Sequence, residues 1–253
     1  MNKDLIVKEN RLITAKYHLT PTQIKFISFL TSRIERDDKD FYTYTFKVND
    51  VLNILDIQRS NYKLLRDSLR ILMTKYIVIE DNNNNISETT FLSYFKIRKK
   101  DDLIEVRFDS SLKPFLLELK DKFTKLSLSK ILEFNSQYTI RMYEILESKI
   151  NIYEKYKNKN LLEFQFNLNE LKEILLGEYI DGKIEIPKSY NKYNNFKRKV
   201  LDVAYRELKE KGDYYFEYAP IKKGRAYSDI KFKIIKNGEK IKKDFIKKKK
   251  KIL

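Results

Sequence analysis

Lys197, Arg198 and Lys199 stand in a row, with Asn195 just before them and Lys192 and Arg206 on either side. These side chains do the chemistry of nucleic-acid recognition. Arg grips guanine O6 and N7 with two hydrogen bonds, and Asn does the same for adenine. Lys holds phosphate as a point charge. Plotted at about 100° per residue over 193–211, Phe196, Val200, Val203, Ala204 and Leu208 cluster on one side and pack inward. Asn195, Arg198, Lys199, Asp202 and Arg206 fall opposite, whereas Lys197 lies nearer the core edge and reaches phosphate by extending its stem. A second basic stripe is made by Arg59, Lys63, Arg66 and Arg70, beside a core stripe of Tyr62, Leu65, Leu69, Leu72 and Met73. Leu64 and Ile71 add a third, apolar stripe, which fits packing under a hairpin or a dimer surface equally well. The basic turn Lys222-Lys223-Gly224-Arg225 suits a phosphate or the minor groove. Taken singly, each helix looks like an ordinary solvated face; the pair, each ahead of a hairpin, points to DNA.

Catalytic chemistry finds no such support. Gly177-Glu178-Tyr179-Ile180-Asp181-Gly182-Lys183-Ile184 nearly fits a phosphate-binding P-loop, but its last position needs a hydroxyl for Mg²⁺ and holds Ile184. Gly177 reads as a helix stop and Asp181-Gly182 as a turn. His18 is the one histidine and there is no cysteine, so thiolate chemistry and the usual zinc sites are excluded. The 18 tyrosines read as core and surface aromatics rather than nucleophiles. No enzyme activity, cofactor or metal is expected.

The net charge of +17 and a pI near 9.6 favour a polyanionic partner. Residues 231–253 hold 11 lysines against 2 acids, a net of +9, so only +8 remains for the first 230. No apolar run approaches the roughly 18 residues of a membrane span, and no apolar signal core follows Met1. The expectation is a soluble cytoplasmic protein without a membrane partner.

The elements that must hold the basic residues repeat. Phe46-Lys47-Val48-Asn49-Asp50-Val51-Leu52-Asn53-Ile54-Leu55 aligns with Phe166-Asn167-Leu168-Asn169-Glu170-Leu171-Lys172-Glu173-Ile174-Leu175. Ahead of the first copy, Thr20-Pro21 opens a helix to about residue 36. A strand at 41–48 follows, then a short helix capped by Asn49, an amphipathic helix at 58–75, and strand-like runs at 76–80, 90–98 and 103–109. A connecting helix at 110–120 leads to an extended stretch at 123–128. The second copy has a helix at 136–156, a strand at 162–166, a helix at 169–176, a loop at 177–188, a long helix at 190–211 ending at Gly212, and a hairpin at 214–219 and 227–235. Helix, strand, two helices and a hairpin is the order of a winged helix. The fold expected is α+β, with two tandem pseudo-symmetric winged-helix (helix-turn-helix) domains. Residues 1–125 form an N-terminal domain for DNA contact and dimerisation, 126–235 the main DNA-recognition domain, and 236–253 a basic, partly disordered tail.

Several ordered segments resemble the theta-type, iteron-binding plasmid replication initiator (Rep) proteins. Asn10-x-Leu12-Ile13 with Leu19-Thr20 resembles their opening, and Leu112-x-Pro114 with Leu119-Lys120 and Phe123-Thr124 their central segment. Ser136-x-Tyr138-Thr139-Ile140-Arg141-x-Tyr143-Glu144 resembles the start of their second domain. Tyr193 to Leu201 resembles their DNA-binding helix, and Lys223-Gly224-Arg225 with Ile230-x-Phe232-x-Ile234 their last hairpin. The resemblance implies binding of direct repeats at a plasmid origin as a monomer, duplex opening, recruitment of host replication proteins, and a homodimer through the N-terminal domain that represses its own promoter. It also implies that Lys197, Arg198 and Lys199 are DNA contacts. Two other readings remain at this point: a transcriptional repressor that starts no replication, and an RNA-binding or ribosome-associated protein that uses the basic tail.

Overall fold

The computed structural model describes residues 4–238 apart from 82, 84, 120, 121 and 159–161. The basic tail read from 236 onward therefore lies, past residue 238, outside the described residues.

The first half runs β1 (Leu5–Glu9), α1 (Asn10–Ile13), α2 (Pro21–Thr31), β2 (Tyr44–Lys47), α3 (Val48–Ile54), α4 (Tyr62–Thr74), β3 (Ile77–Glu80), β4 (Ile86–Thr89), β5 (Leu92–Arg98) and β6 (Leu103–Phe108). Then come α5 (Lys113–Leu116), β7 (Phe123–Ser127), α6 (Leu128–Glu133) and α7 (Gln137–Tyr156). The second half continues with β8 (Glu163–Asn167), α8 (Leu168–Leu176), β9 (Glu178–Ile180), β10 (Lys183–Glu185), α9 (Tyr193–Phe196), α10 (Asp202–Lys211), β11 (Tyr214–Lys223) and β12 (Ala226–Lys236).

Two three-stranded sheets have the same plan. In one the order is β2-β6-β5, in the other β8-β12-β11, so in both the first strand pairs with the last. The repeated phenylalanines hold equivalent registers: Phe46 faces Ile104 and Phe166 faces Ile230. Each is followed by a short helix, a basic helix and a hairpin, which makes two winged helices of the same topology. They differ in one insertion each. The first has the β3–β4 hairpin after its basic helix; the second has β9–β10 before it. These two hairpins meet. Tyr179 Oη donates to Glu88 at 2.5 Å, its ring packs edge-on against Tyr76, and Lys75 pairs with Glu178 at 2.9 Å.

Local chemistry sets the ends. Thr20 caps α2 reciprocally: its hydroxyl accepts from Gln23 N, and Gln23 Oε1 accepts from Thr20 N. The helix stops at Thr31 rather than near residue 36. Thr31 and Ser32 hydroxyls donate back to the Ile27 and Phe29 carbonyls, and Arg33 and Ile34 close tight three-residue turns. Asn49 does not cap α3. It lies inside the helix and accepts from Arg59 Nη1 at 2.7 Å, while Lys47 occupies the cap position without a side-chain bond. In the second copy Asn167 fills that position and accepts from Asn169 N and Glu170 N. The connecting helix expected at 110–120 shrinks to a 3₁₀ turn, Ser110–Leu112, and the single turn of α5, with Pro114 at its start. Gly212 ends α10 in extended backbone (φ −77°). A Cβ there would lie 2.6 Å from Tyr214 O and 2.7 Å from Leu208 O, so crowding, not a left-handed turn, selects glycine.

Strand β1 pairs antiparallel with β7, Leu5 opposite Ser127 and Glu9 opposite Phe123, and the expected boundary after residue 125 falls inside β7. Helix α7 packs on β7, α1, α2 and α10 and so touches both halves. Its buried Arg141 donates to the Tyr17 hydroxyl and the Ala15 carbonyl. Among the described residues no helix is long and apolar enough to cross a membrane.

Candidate nucleic-acid interface

The expected straight helix at 190–211 is in fact a 3₁₀ turn (Lys188–Asn191), α9, a π turn (Lys197–Leu201) and α10. Asp202 N–H donates to the Lys197 carbonyl five residues back, the signature of the wider turn. One inserted residue slips the inward face by one position. Phe196, Val200, Leu201, Ala204 and Leu208 are fully buried, whereas Val203, expected inside, is half-exposed. The angle per residue is not constant through the π turn, so Ala204 rather than Val203 continues the inward face. The slip leaves Lys197, Arg198 and Lys199 exposed together ahead of two adjacent buried residues.

Within that turn the cations differ. Arg198 and Lys199 have no ion pair among the described residues. Lys197 is exposed rather than at the core edge, and its Nζ sits 2.9 Å from Asp202 and 5.8 Å from the Tyr218 ring centroid. Burial works against Asp202 ionisation, but the Tyr218 hydroxyl and Lys197 hold its carboxyl below the ordinary value. Arg206 is exposed and its Nε donates to the Asp202 carbonyl at 3.1 Å. Asn195 is half-buried, and its amide donates to Ser189 O at 2.7 Å, fastening the 3₁₀ turn to the helix. Lys192 is exposed at the start of α9.

The wing lies alongside. Lys222, Lys223 and Arg225 are exposed at the tip of the β11–β12 hairpin, where Gly224 takes φ +64°, a conformation open to glycine at no steric cost. Lys222 Nζ stands 4.8 Å over the Tyr227 ring. Between wing and helix runs a cleft of about 710 Å³ that sequence reasoning missed. It is lined by Tyr193, Tyr205, Tyr218 and Tyr227 with Lys197 and Asp202. These tyrosines come from separate elements, and the one sequence signal was the dense run of aromatics at 214–218.

In the first winged helix the four-cation stripe divides. Lys63 and Arg70 are exposed on α4. Arg59, just before it, binds Asn49 and lies 3.3 Å from Asp102 in the β5–β6 turn, tying helix to wing. Arg66 is half-buried and 3.8 Å from Asp67. Leu64 and Ile71 are 49% and 38% exposed, so the hairpin does not cover them.

Residues 177–184 form the β9–β10 hairpin, with Asp181 at φ 48° and Gly182 at φ 82°; no helix follows to cradle a phosphate. His18 is half-buried, and burial beside Lys75 lowers its pKa. Among the described residues no group of three His, Cys, Asp or Glu could hold a metal ion.

Comparison with known proteins matches residues 5–147 to the family model "Initiator Replication protein, WH1" and residues 167–234 to "Initiator Rep protein, WH2". An Escherichia coli protein described as "Replication initiation protein" is 27% identical over 206 residues, 78% of this chain and 58% of that protein. A second from the same organism, "PI protein", is 31% identical over 137 residues, 52% of this chain and 43% of that one. The chain thus spans about half the length of these relatives. The solved structure of the Pi initiator protein in complex with iteron DNA superposes with a TM-score of 0.68 at 20% identity, covering 94% of this chain and 99% of that one. That likeness shows the arrangement of two winged helices.

Proposed function

The chain belongs to the initiator Rep protein family, and on that premise we propose that it starts plasmid replication by binding directly repeated duplex DNA at an origin. The observation that carries this reading is the exposed Lys197-Arg198-Lys199 turn beside the basic wing, set in one of two winged helices of equal topology. A helix entering the major groove puts the side chains of its first turns on base edges. Arg198 is the base reader, gripping guanine with two bonds. Lys192, Lys199, Lys222, Lys223 and Arg225 hold phosphates on either side, and Lys197 joins them by leaving Asp202 for a phosphate. Arg206, two turns on, also meets the backbone. Asn195 positions the turn rather than reading adenine, since its amide is engaged with Ser189.

For function the chain divides into residues 1–125 for weaker DNA contact and self-association, 126–235 for the main recognition, and 236–253 for non-specific attraction to DNA. Arg59, Lys63, Arg66 and Arg70 belong to the first part. The protein works in the cytoplasm without catalysis of its own, opening the duplex through binding energy and recruiting host replication proteins; a homodimer represses its own promoter.

The test has two parts. Full-length protein is footprinted on the DNA flanking its gene, and the gene with that DNA is placed on a plasmid lacking another replicon. Protected direct repeats and stable transformants are expected. A single protected palindrome without transformants would establish the repressor instead, and binding to RNA with no protected duplex would remove both.

A further inference from the structure

Helix α4 is the counterpart of the basic helix in the second domain: each follows a strand and a short helix and precedes a wing in sheets of the same order. Their outer faces differ. The second helix exposes Lys197, Arg198 and Lys199 there; α4 exposes Lys63 and Arg70 with the large apolar Leu64 and Ile71 beside them. Neither apolar residue belongs to the packed core. Both pairs, Lys63-Leu64 and Arg70-Ile71, repeat after seven residues. That is two helical turns, about 10 Å along the axis, close to three base-pair steps of about 3.4 Å.

We infer that Leu64 and Ile71 read thymine methyl groups in the major groove, with Lys63 and Arg70 on the flanking phosphates. The inference rests on the duplex binding proposed above and names what the first domain recognises. The C5-methyl of thymine is the apolar feature of the major-groove edge, so it is the partner that large aliphatic side chains on a groove-facing helix select. Charge argues for DNA over a second copy of the chain. Helix α4 carries three cations and one acid, Asp67, itself 3.8 Å from Arg66. A two-fold contact of this face with itself presents the same patch twice and sets the Lys63 and Arg70 cations of one copy against those of the other.

The test compares the repeat duplex that the protein protects with the same duplex carrying deoxyuridine for every thymine, which removes the methyls and keeps the base-pairing edge. Full-length wild type is measured beside the L64A/I71A double variant, with R198A as control. Thermal melting of the double variant should fall only slightly below wild type, since Leu64 and Ile71 are 49% and 38% exposed and neither belongs to the packed core. A buried methyl is worth roughly fourfold in affinity, so wild type should prefer the thymine duplex by roughly tenfold more than the double variant does. R198A should keep the wild-type preference. An equal preference in wild type and double variant overturns the inference while leaving the duplex binding intact. So does a double variant that binds the thymine duplex like wild type, or one whose main change is in sedimentation of the free protein, which assigns Leu64 and Ile71 to self-association. A wild-type chain that protects no duplex overturns the functional reading, and this inference with it.

Discussion

Lys8 on β1 donates to Glu144 on α7 at 2.6 Å, across 136 residues of chain, and both side chains are withdrawn from water. Arg141 completes the site. It donates to the other Glu144 oxygen at 3.0 Å and to the Tyr17 hydroxyl at 2.6 Å, with its guanidinium 4.1 Å from the Tyr17 ring centroid. The segment from Ser136 to Glu144, which resembles the start of the family's second domain, is therefore a fastening between the N-terminal strand and the helix that touches both halves. Removing one partner of a buried ion pair leaves the other charge uncompensated.

Glu144→Ala should lower unfolding stability by about 3–5 kcal/mol, the usual range for breaking such a pair; Glu144→Gln should cost less because an amide still accepts from Lys8. Burial opposes ionisation of Glu144, but Lys8 and Arg141 win and hold its pKa below 4.5. A carboxyl depressed on folding contributes stability that is present above its unfolded value and lost as pH falls through the folded value. Wild type should therefore lose stability below about pH 4.5, with a shallower acid limb in the variant. Urea midpoints across pH 3 to 7 measure both, and parallel acid limbs would remove Glu144 from the network.

One turn further along α7, Glu147 has the opposite sign. Burial, with Asp213 adding repulsion, raises its carboxyl to about 7. A carboxyl raised on folding disfavours the native state once the unfolded chain ionises, so this cost grows from pH 4.5 to about 7 and then levels. Glu147→Gln should stabilise the protein at pH 8 by about 1–3 kcal/mol and leave stability at pH 4 within a few tenths of wild type. Melting temperatures at the two pH values test this; equal shifts at both would mean that packing rather than ionisation is responsible.

Arg198→Ala and Lys199→Ala should fail in different ways on the protected repeat. Loss of the base reader should cost about 1–3 kcal/mol and relax discrimination at one base position, whereas loss of a phosphate contact weakens all sequences alike and lowers the salt slope by about 1. With about six to eight phosphates neutralised, the wild-type log–log slope should be near −5 to −7. Asn195→Ala should show up in melting temperature rather than in base discrimination. Titrations at several salt concentrations on cognate and single-mismatch duplexes separate these outcomes, and an unchanged mismatch profile for Arg198→Ala takes it out of the readout set.

What the sequence revealed was what neighbouring residues decide. Thr20 with Gln23, the alternation around Phe46 and Phe166, and the Asp181-Gly182 turn are set within a few positions, and the winged-helix order follows from them. Strand β1 escaped because its partner, β7, lies about 120 residues away and a five-residue strand has no identity without it. The π turn escaped because it is imposed by burying Val200 and Leu201 together, a demand of the surrounding core. That core supplied the tyrosine cleft as well, from residues that meet only when helix and wing are assembled. The candidate cations were all visible. Which of them are engaged within the chain, as Lys197 and Arg59 are, depends on Asp202 and Asp102 and needed the fold.

The two copies of the repeat make a controlled pair for helix capping. Lys47 and Asn167 hold the same position and nearly the same backbone, φ −69° and ψ 135° against φ −59° and ψ 137°. Asn167 accepts from two backbone N–H groups; Lys47 offers no acceptor. Asn167→Ala should lower stability by about 1 kcal/mol. The reciprocal change, Lys47→Asn, places an acceptor where the backbone is already set for it, and should raise stability by several tenths to about 1 kcal/mol. Its own neighbours permit this, since Lys47 is exposed, pairs with Leu103 through the backbone and makes no salt bridge among the described residues. Denaturant midpoints of the two single variants and the combined one provide the check. Opposite, additive shifts are expected because the sites lie in different domains; a Lys47→Asn variant no more stable than wild type would mean that α3 draws its start from the Val48 N–H to Asp102 O bond alone.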